Sequence, residues 1–305
     1  MKKQTIRKQT HKGLQWLEIR WPRPLEIETA QEVIARLATS GQNNPLIFEV
    51  RANKSGVRYL LGAELSWLKQ IAQILESGVP GIRLKPCISR REVTYARRVK
   101  ASRPQLALNT QNTLSVIRAT LASLAQIKQD GEEAVLQIVL GRPYTPSLLP
   151  NKLTDPEASW LDVLRGTVAS ASSESRKLLH DKVNFHGFQA TIRIGTLAKR
   201  PITAIHMAQR ILSGLKIMES AGAKLFTSFE RSVNFNTSIF PWRYPMRLSI
   251  KELTGFLCWP LGDGDLPGLA GIHPRVLLPP KWLSQFFKHF VFAICYRLSR
   301  SAGFF

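Results

Sequence analysis

The sequence predicts an α+β protein with two tandem ferredoxin-like (split β-α-β) sandwiches and an irregular C-terminal extension. The hydrophobic period changes between two and 3.6 residues along 13–232, as it does where strands and helices alternate. In the first part the order of elements is β-α-β-β-α-β, and a related order returns after residue 89. The length of 305 residues suffices for two domains that each bury a core.

The first sandwich is predicted for residues 13–88. Leu17, Ile19 and Trp21 alternate with charged residues, which is typical of a strand with one buried face. Apolar residues at helical spacing follow, and Ser40-Gly41 ends that helix. The predicted elements after the first strand are a helix at 27–37, strands at 46–50 and 57–61, a helix at 65–75 and a strand at 81–85.

The second sandwich is predicted for residues 89–232. Its clearest strand is 188–194, where apolar and polar residues alternate without interruption. A proline-rich connector at 142–156 leads into Asp155-Pro156-Glu157, a sequence typical of a helix start, at its end. The other predicted elements are strands at 92–100, 134–140 and 224–229 and helices at 114–124 and 201–218.

Two further segments complete the predicted organisation after residue 232. Residues 233–280 are predicted to be an irregular linker with one short helix at 249–257, because Ser249 and Glu252 have the spacing of a capping box. Residues 281–305 form an aromatic and basic tail. This tail is either an interfacial amphipathic helix or an out-of-frame segment behind a truncated gene, and we prefer the second interpretation.

Charge is the strongest compositional signal. The chain carries 43 Lys+Arg against 21 Asp+Glu, with a net charge of +22 and a pI near 10.5. Residues 1–12, a basic arm, and the tail at 281–305 hold nine cations and no acid, so the remaining residues keep +13. Such a balance favours nucleic acid or an acidic membrane surface as the partner. The three cysteines and the lack of a long apolar run predict a cytoplasmic protein, with the tail offering peripheral contact at the inner face of the membrane.

Enzyme motifs are missing from the sequence. Gly222-Ala223-Lys224 is the nearest approach to a Walker A loop, but it lacks the second glycine and the Ser/Thr that phosphate and magnesium binding need. Gly-x-Ser-x-Gly and His-Glu-x-x-His do not occur, and the histidines and cysteines have no metal-ligand spacing. We therefore expect no catalytic residues, no cofactor and no metal.

Basic residues next to aromatic residues are the remaining candidates for a site. They could neutralise phosphates, and the aromatic rings could stack on bases, so non-specific DNA is the expected ligand. The alternative interpretation is that these cations protect exposed strand edges. The candidate residues are Arg20, Trp21, Arg23, Arg83, Lys85, Arg90, Arg91, Arg97 and Arg98.

Two segments resemble a known family. The stretch from Lys182 to Ile194 resembles a lysine followed by a Phe-x-x-x-Ile/Val-Arg-Ile strand, which occurs in the N-terminal region of actinobacterial type IV secretory conjugative DNA transfer proteins. More specifically, residues 248–268, beginning Leu-Ser-Ile-Lys-Glu-Leu and containing Trp259-Pro260-Leu261-Gly262, are similar to the Leu-Ser-x-x-Glu-Leu-x-x-Leu-x-Gly-Trp-Pro-x-Gly stretch that precedes the ATPase domain there. The resemblance covers about residues 14–280.

In that family a P-loop motor of the FtsK/HerA class follows and pumps DNA during conjugation. The resemblance therefore implies a non-catalytic accessory N-terminal portion of a conjugative DNA-transfer ATPase, truncated before the P-loop and acting in binding or assembly. Its implied partners are DNA, proteins of the secretion machinery or the motor, and further copies of itself. The alternative function is a membrane-peripheral scaffold held by residues 281–305.

Overall fold

Strands and helices alternate along the chain and produce a nine-stranded antiparallel sheet. The α+β class predicted from the sequence is confirmed by this mixed architecture. The computed structural model describes residues 13–41, 44–87, 89–127, 129–149, 170–262 and 264–269. The predictions for the basic arm at 1–12, the helix start at 155–157 and the tail at 281–305 fall outside the described residues.

The first half of the sheet has the predicted β-α-β-β-α-β order. Its first helix buries Ala30, Val33, Ile34 and Leu37 at the i, i+3, i+4, i+7 spacing that gives a helix one apolar stripe. The elements are β1 (Leu14–Arg20), α1 (Ile27–Thr39), β2 (Leu46–Asn53), β3 (Gly56–Glu64), α2 (Leu65–Gly78) and β4 (Arg83–Pro86).

The second half repeats this order and adds a helix between its two central strands. That helix, which the sequence did not predict, starts where Ser172 caps it by accepting a hydrogen bond from the Ser175 amide. The elements are β5 (Tyr95–Ala101), α3 (Thr113–Ala125), β6 (Glu133–Tyr144), α4 (Ser173–Val183), β7 (Gly187–Leu197), α5 (Pro201–Leu215), a 3-10 helix (Lys216–Met218) and β8 (Leu225–Phe229).

The two halves join into one sheet through an antiparallel pairing of β2 with β6. The strand order is β4-β1-β3-β2-β6-β7-β5-β8, so each half has the ferredoxin-like arrangement and the two meet at equivalent strands. The pairing is long and regular, from Leu46 opposite Leu140 to Ala52 opposite Ala134. The sequence could not predict this junction, because a strand has the same residue pattern whether the neighbouring strand belongs to its own half or to the other half.

Residues 232–257 contain more regular structure than an irregular linker. They form α6 (Ser232–Asn236), β9 (Met246–Ser249) and α7 (Ile250–Leu257), and β9 pairs with the start of β7. The predicted capping box at α7 is present, because Ser249 and Glu252 exchange both hydrogen bonds. The short strand β9 carries too few residues for its period to be recognised in sequence.

The sheet has an apolar face and a polar face. On the apolar face, residues such as Phe48 and Leu136 form one core cluster with α1, α2, α3, α5 and α7, and this cluster spans both halves. On the opposite face, which we call the polar face, the alternate residues Glu49 and Gln137 are also buried. No helix among the described residues has the length and apolarity to cross a membrane.

Residues 249–262 and 264–268, which we call the strap, contact both halves, because α7 packs against α1 of the first half and α3 of the second. Trp259 packs against Trp21, with ring centroids 4.4 Å apart, and against Phe48 at 5.6 Å. The Tyr59 hydroxyl donates to the Cys258 carbonyl oxygen at 2.9 Å. At the far end of the strap, the Gly268 carbonyl accepts from the Val57 amide, just behind the turn between β2 and β3.

Candidate nucleic-acid interface

Exposed cations gather on the polar face at the β4 edge of the sheet. Arg20 of β1 lies opposite Arg83 of β4, and Glu18 lies opposite Lys85. Residues opposite each other in an antiparallel pair share a face, and Ile19, between Glu18 and Arg20, points into the core. The structure thus brings together three predicted site residues from two separate segments of the chain.

Arg58 extends this group onto β3. Its Nη1 lies 3.9 Å from Glu18 Oε2, and Arg20 Nε lies 3.9 Å from the other oxygen of the same carboxylate. Arg58 also lines a cleft of about 260 Å³ that Arg91 lines as well. We call these five cations the basic track: Arg20, Arg58, Arg83, Lys85 and Arg91.

The basic track is available to solvent. Arg83, Lys85 and Arg91 are exposed, and the side chain of Arg20 is 61% exposed. Among the described residues, Glu18 is the one carboxylate in ion pairs with the track. The charge of Glu133, which lines the cleft, is offset by Arg51, so the track keeps an excess of about four positive charges. Cations at this density can each neutralise a phosphate and release a counterion, which is the main source of non-specific affinity for nucleic acid.

Arg90 and Arg98, also predicted as site residues, are instead held in a set of buried ionic contacts at the centre of the polar face. Arg90 binds both oxygens of Glu49 through Nε and Nη2 at 2.7 to 3.2 Å. Arg98 forms an ion pair with Glu230. We call the set the buried network, and its members are Glu49, Arg51, Arg90, Arg98, Glu133, Gln137, Arg193 and Glu230.

Glu49 is the centre of the buried network. It is 1% exposed and accepts hydrogen bonds from Arg51, Arg90 and Gln137. Burial alone would raise the pKa of Glu49, but the two guanidiniums and the Gln137 amide outweigh it, so the pKa lies below its usual value. Its charge is therefore part of the folded structure and is not offered to a ligand.

Helix α6 and the residues after it cover the network. Arg193 donates to the carbonyl oxygen of Ile239 at 2.6 Å, and Arg90 donates to that of Asn236 at 2.6 Å. Burial lowers the pKa of Arg193 despite the nearby Glu230. Burial would raise the pKa of Glu230, but the Asn234 amide, Arg193 and Arg98 lower it further than burial raises it. Backbone carbonyls thus supply acceptors for Arg90 and Arg193 that the acids do not provide, although Arg193 Nε has no hydrogen-bond partner among the described residues.

The other predicted residues are engaged elsewhere. Arg97 lies over the Tyr95 ring and donates from Nε to its hydroxyl at 2.6 Å. Trp21 contacts Trp259 with one ring face, so that face is not open to a base. Arg23 donates to the Gly264 carbonyl oxygen at 2.5 Å and thereby holds the strap.

A buried ion pair outside the network links the two segments that carry the family resemblance. Lys182 of α4 contacts both oxygens of Glu252 of α7 at 2.7 and 2.9 Å, and both residues are under 5% exposed. Glu252 also accepts from the Leu108 and Ser249 amides. Sequence reasoning missed this pair. The apolar residues around Glu252 were a signal that this glutamate is buried, whereas Lys182 lies in a polar stretch that gives no such signal.

Among the described residues, no three His, Cys, Asp or Glu side chains are grouped so as to hold a metal ion. No protein-family model matches the chain, and no curated protein matches it. What the chain does is therefore inferred from its surface geometry and from the motifs described above.

Proposed function

We propose that this chain is a non-catalytic accessory portion of a conjugative DNA-transfer machine and that it binds DNA through the basic track. The observation that carries the DNA part is the convergence of Arg20, Arg58, Arg83, Lys85 and Arg91 on one accessible strip of the polar face. Its implied protein partners are the motor and other components of the secretion apparatus, and it would act in binding or assembly.

The assembly part of the proposal is supported by the strap. Trp259 and Leu261 are 2% exposed, and Glu252 is fully buried. The motif that precedes the motor in the resembling family thus corresponds to the packed strap. A rigid segment of this kind is suited to holding whatever follows it in a fixed direction.

DNA binding can be tested by fluorescence anisotropy with single- and double-stranded oligonucleotides between roughly 50 and 200 mM salt. If all five cations of the track contact phosphates, log K should fall against log salt with a slope of about −3.5 on a single strand. In the triple variant Arg20→Gln, Arg83→Gln, Lys85→Gln, we expect that slope to become shallower by about 2.

A matched control removes three exposed cations far from the track in the chain: Lys199→Gln, Arg200→Gln, Lys216→Gln. The control should keep the slope of the unmodified chain. Equal losses in both triple variants would mean that net charge, and not the track, governs binding. No binding at the low end of the salt range would overturn the DNA part of the proposal.

The membrane-peripheral alternative rests on residues 281–305, outside the described part of the chain. Flotation with liposomes of acidic lipid separates it from the proposal. Loss of flotation on stopping the chain at Pro280 would favour the alternative, whereas salt-dependent DNA binding that survives this truncation would favour the proposal.

A further inference from the structure

The cleft at the end of the basic track combines a buried acceptor with exposed cations. It lies beside the turn between β2 and β3, and its polar lining comes from Asn53, Ser55, Arg58, Ser89, Arg91 and Glu133. At about 260 Å³ it is smaller than the roughly 300 to 1,000 Å³ of pockets that hold drug-sized ligands. A planar group of the size of one nucleobase suits this volume.

One carboxylate oxygen of Glu133, a residue that lines this cleft, has no hydrogen-bond partner among the described residues. The residue is 1% exposed, and its Oε1 accepts from Arg51 Nε at 2.6 Å. Its Oε2 is buried and has no hydrogen-bond partner among the described residues. A buried carboxylate oxygen without a donor is costly, so a ligand that brings an N–H group to this oxygen would gain the interaction that the protein does not supply.

The surroundings of the cleft restrict which donor can enter. Arg58 and Arg91 line it, so a simple cation such as an ammonium group would be repelled. The same arginines would attract a group attached to phosphates. The cleft therefore fits a neutral donor tethered to a polyanion, which is the chemistry of a nucleobase in a nucleic-acid strand.

Guanine matches a carboxylate best among the four bases. Its Watson–Crick edge presents two adjacent donors, N1–H and the 2-amino group. Adenine and cytosine place an acceptor nitrogen beside their amino group, and thymine flanks its single N–H with two carbonyl oxygens. Only an unpaired base exposes this edge, so recognition of this kind is confined to single strands.

We propose that the cleft binds the Watson–Crick edge of an unpaired guanine in single-stranded DNA. Glu133 accepts from N1–H at Oε2, which has no partner among the described residues, and from the 2-amino group at the second lone pair of Oε1, whose other lone pair is held by Arg51. Arg58 and Arg91 contact the adjoining phosphates. This inference rests on the proposed function, because the basic track delivers the strand to the cleft. It adds a base preference to binding that is otherwise insensitive to sequence.

The test compares thymidine oligomers that differ in one central nucleotide, measured by anisotropy with the unmodified full chain. We expect deoxyguanosine to improve affinity by about tenfold over thymidine, the order of discrimination for a paired hydrogen bond to a base. 7-Deazaguanosine keeps the Watson–Crick edge and should bind like guanosine. Inosine lacks the 2-amino group and should lose most of the gain. Free dGMP should compete with the guanine oligomer and leave the all-thymidine oligomer bound.

Glu133→Gln provides the protein-side test. The glutamine carbonyl can still accept from Arg51, while its amide turns the open acceptor into a donor. The guanine preference should disappear and affinity for the all-thymidine oligomer should persist. Thermal unfolding verifies that the variant is folded. If the variant does not fold, the nucleotide series on the unmodified chain still tests the guanine inference.

The outcomes separate the two proposals. Equal affinity for every central nucleotide, with the expected salt dependence, would overturn the guanine inference and leave the proposed function standing. Binding of free dGMP without binding of any oligomer would show that the ligand of the cleft is a free nucleotide and not a DNA strand, which would also overturn the guanine inference. If no oligomer binds at low salt, the DNA part of the proposed function fails, and the guanine inference fails with it.

Discussion

The basic track and the buried network occupy the same face of the same sheet, and arginine is the main cation of both. In the track, Glu18 is the one described acid in ion pairs with the cations, and four of the five cations are exposed. In the network, three glutamates face four arginines, and α6 with the residues after it lies on top. The number of neighbouring acids and the burial of the side chain thus distinguish cations that are available for binding from cations that stabilise the fold. Residue type does not distinguish them, because both groups are mainly arginine.

The two regions meet at Glu133. One of its oxygens belongs to the network through Arg51, the other has no hydrogen-bond partner among the described residues, and the residue lines the cleft that ends the track. A carboxylate in this position is held rigidly by the network, so its open oxygen keeps a fixed direction. Preorganisation of this kind lowers the entropic cost of recognising a ligand.

The largest difference between the regions should appear in stability. Glu49→Ala removes the acid that Arg51 and Arg90 share, which leaves Arg51 with Glu133 alone and Arg90 with no acid among the described residues. We expect the free energy of unfolding to drop by about 3 to 5 kcal/mol. The matched change in the track, Glu18→Ala, removes a partly exposed carboxylate and should cost about 1 kcal/mol or less. Chemical denaturation of both variants measures the two costs. Similar losses would mean that the network is no more structural than the track.

Much of this fold follows from the sequence, because strand alternation and helical spacing survive in almost every element. The grouping of cations does not follow so directly. Arg97 and Arg98 are neighbours in the chain, yet successive residues of a strand face opposite sides of the sheet. They were expected to serve one surface, but one contacts Tyr95 and the other Glu230. Because side chains alternate between the two faces of a strand, the sequence alone was enough to assign these two arginines to opposite faces.

The partners of a charged residue could not be predicted in the same way. Arg51 pairs with Glu133, 82 residues further along the chain, and this contact depends on the pairing of β2 with β6. Arg58 was not predicted as a site residue, because the residue that places it in the track, Glu18, lies on a different strand. Cross-strand register, and not local pattern, decides which charges meet.

The residues that carry the family resemblance turn out to be interior ones. Leu248, Leu253 and Glu252 are fully buried, and Trp259 is nearly so. Lys182 from the other resembling segment completes the pair with Glu252. Buried motif residues of this kind are constrained by packing, so the resemblance would predict a shared architecture more directly than a shared ligand.

The second expected difference between the regions is a dependence of stability on pH that comes from the network. The pKa values of Glu49 and Glu230 are lowered in the folded protein, so the unfolded chain takes up protons more readily than the folded one. Their contribution is present above the ordinary value of 4.5 and is lost as the pH falls through the lower folded values.

Glu230→Gln should make this dependence shallower, by up to about 1.4 kcal/mol per pH unit between pH 4.5 and the folded value. Denaturant unfolding over an acidic pH series provides the measurement. Glu18→Gln serves as the control from the track. An unchanged slope in Glu230→Gln would show that this carboxylate does not stabilise the fold through its charge.

The smallest effect should be a gain of function in the track. Glu18→Gln removes the carboxylate that lies 3.9 Å from both Arg20 and Arg58, so these guanidiniums are freed for phosphates. Because solvent screens this interaction, we expect DNA affinity to rise by only about two- to fivefold at low salt and the gain to shrink as salt increases. Glu76→Gln, an exposed acid on α2, gives the same change in net charge and should leave affinity nearly unaltered. A gain of equal size in both variants would mean that DNA responds to total charge, and the distinction between the track and the rest of the surface would then lose its meaning for binding.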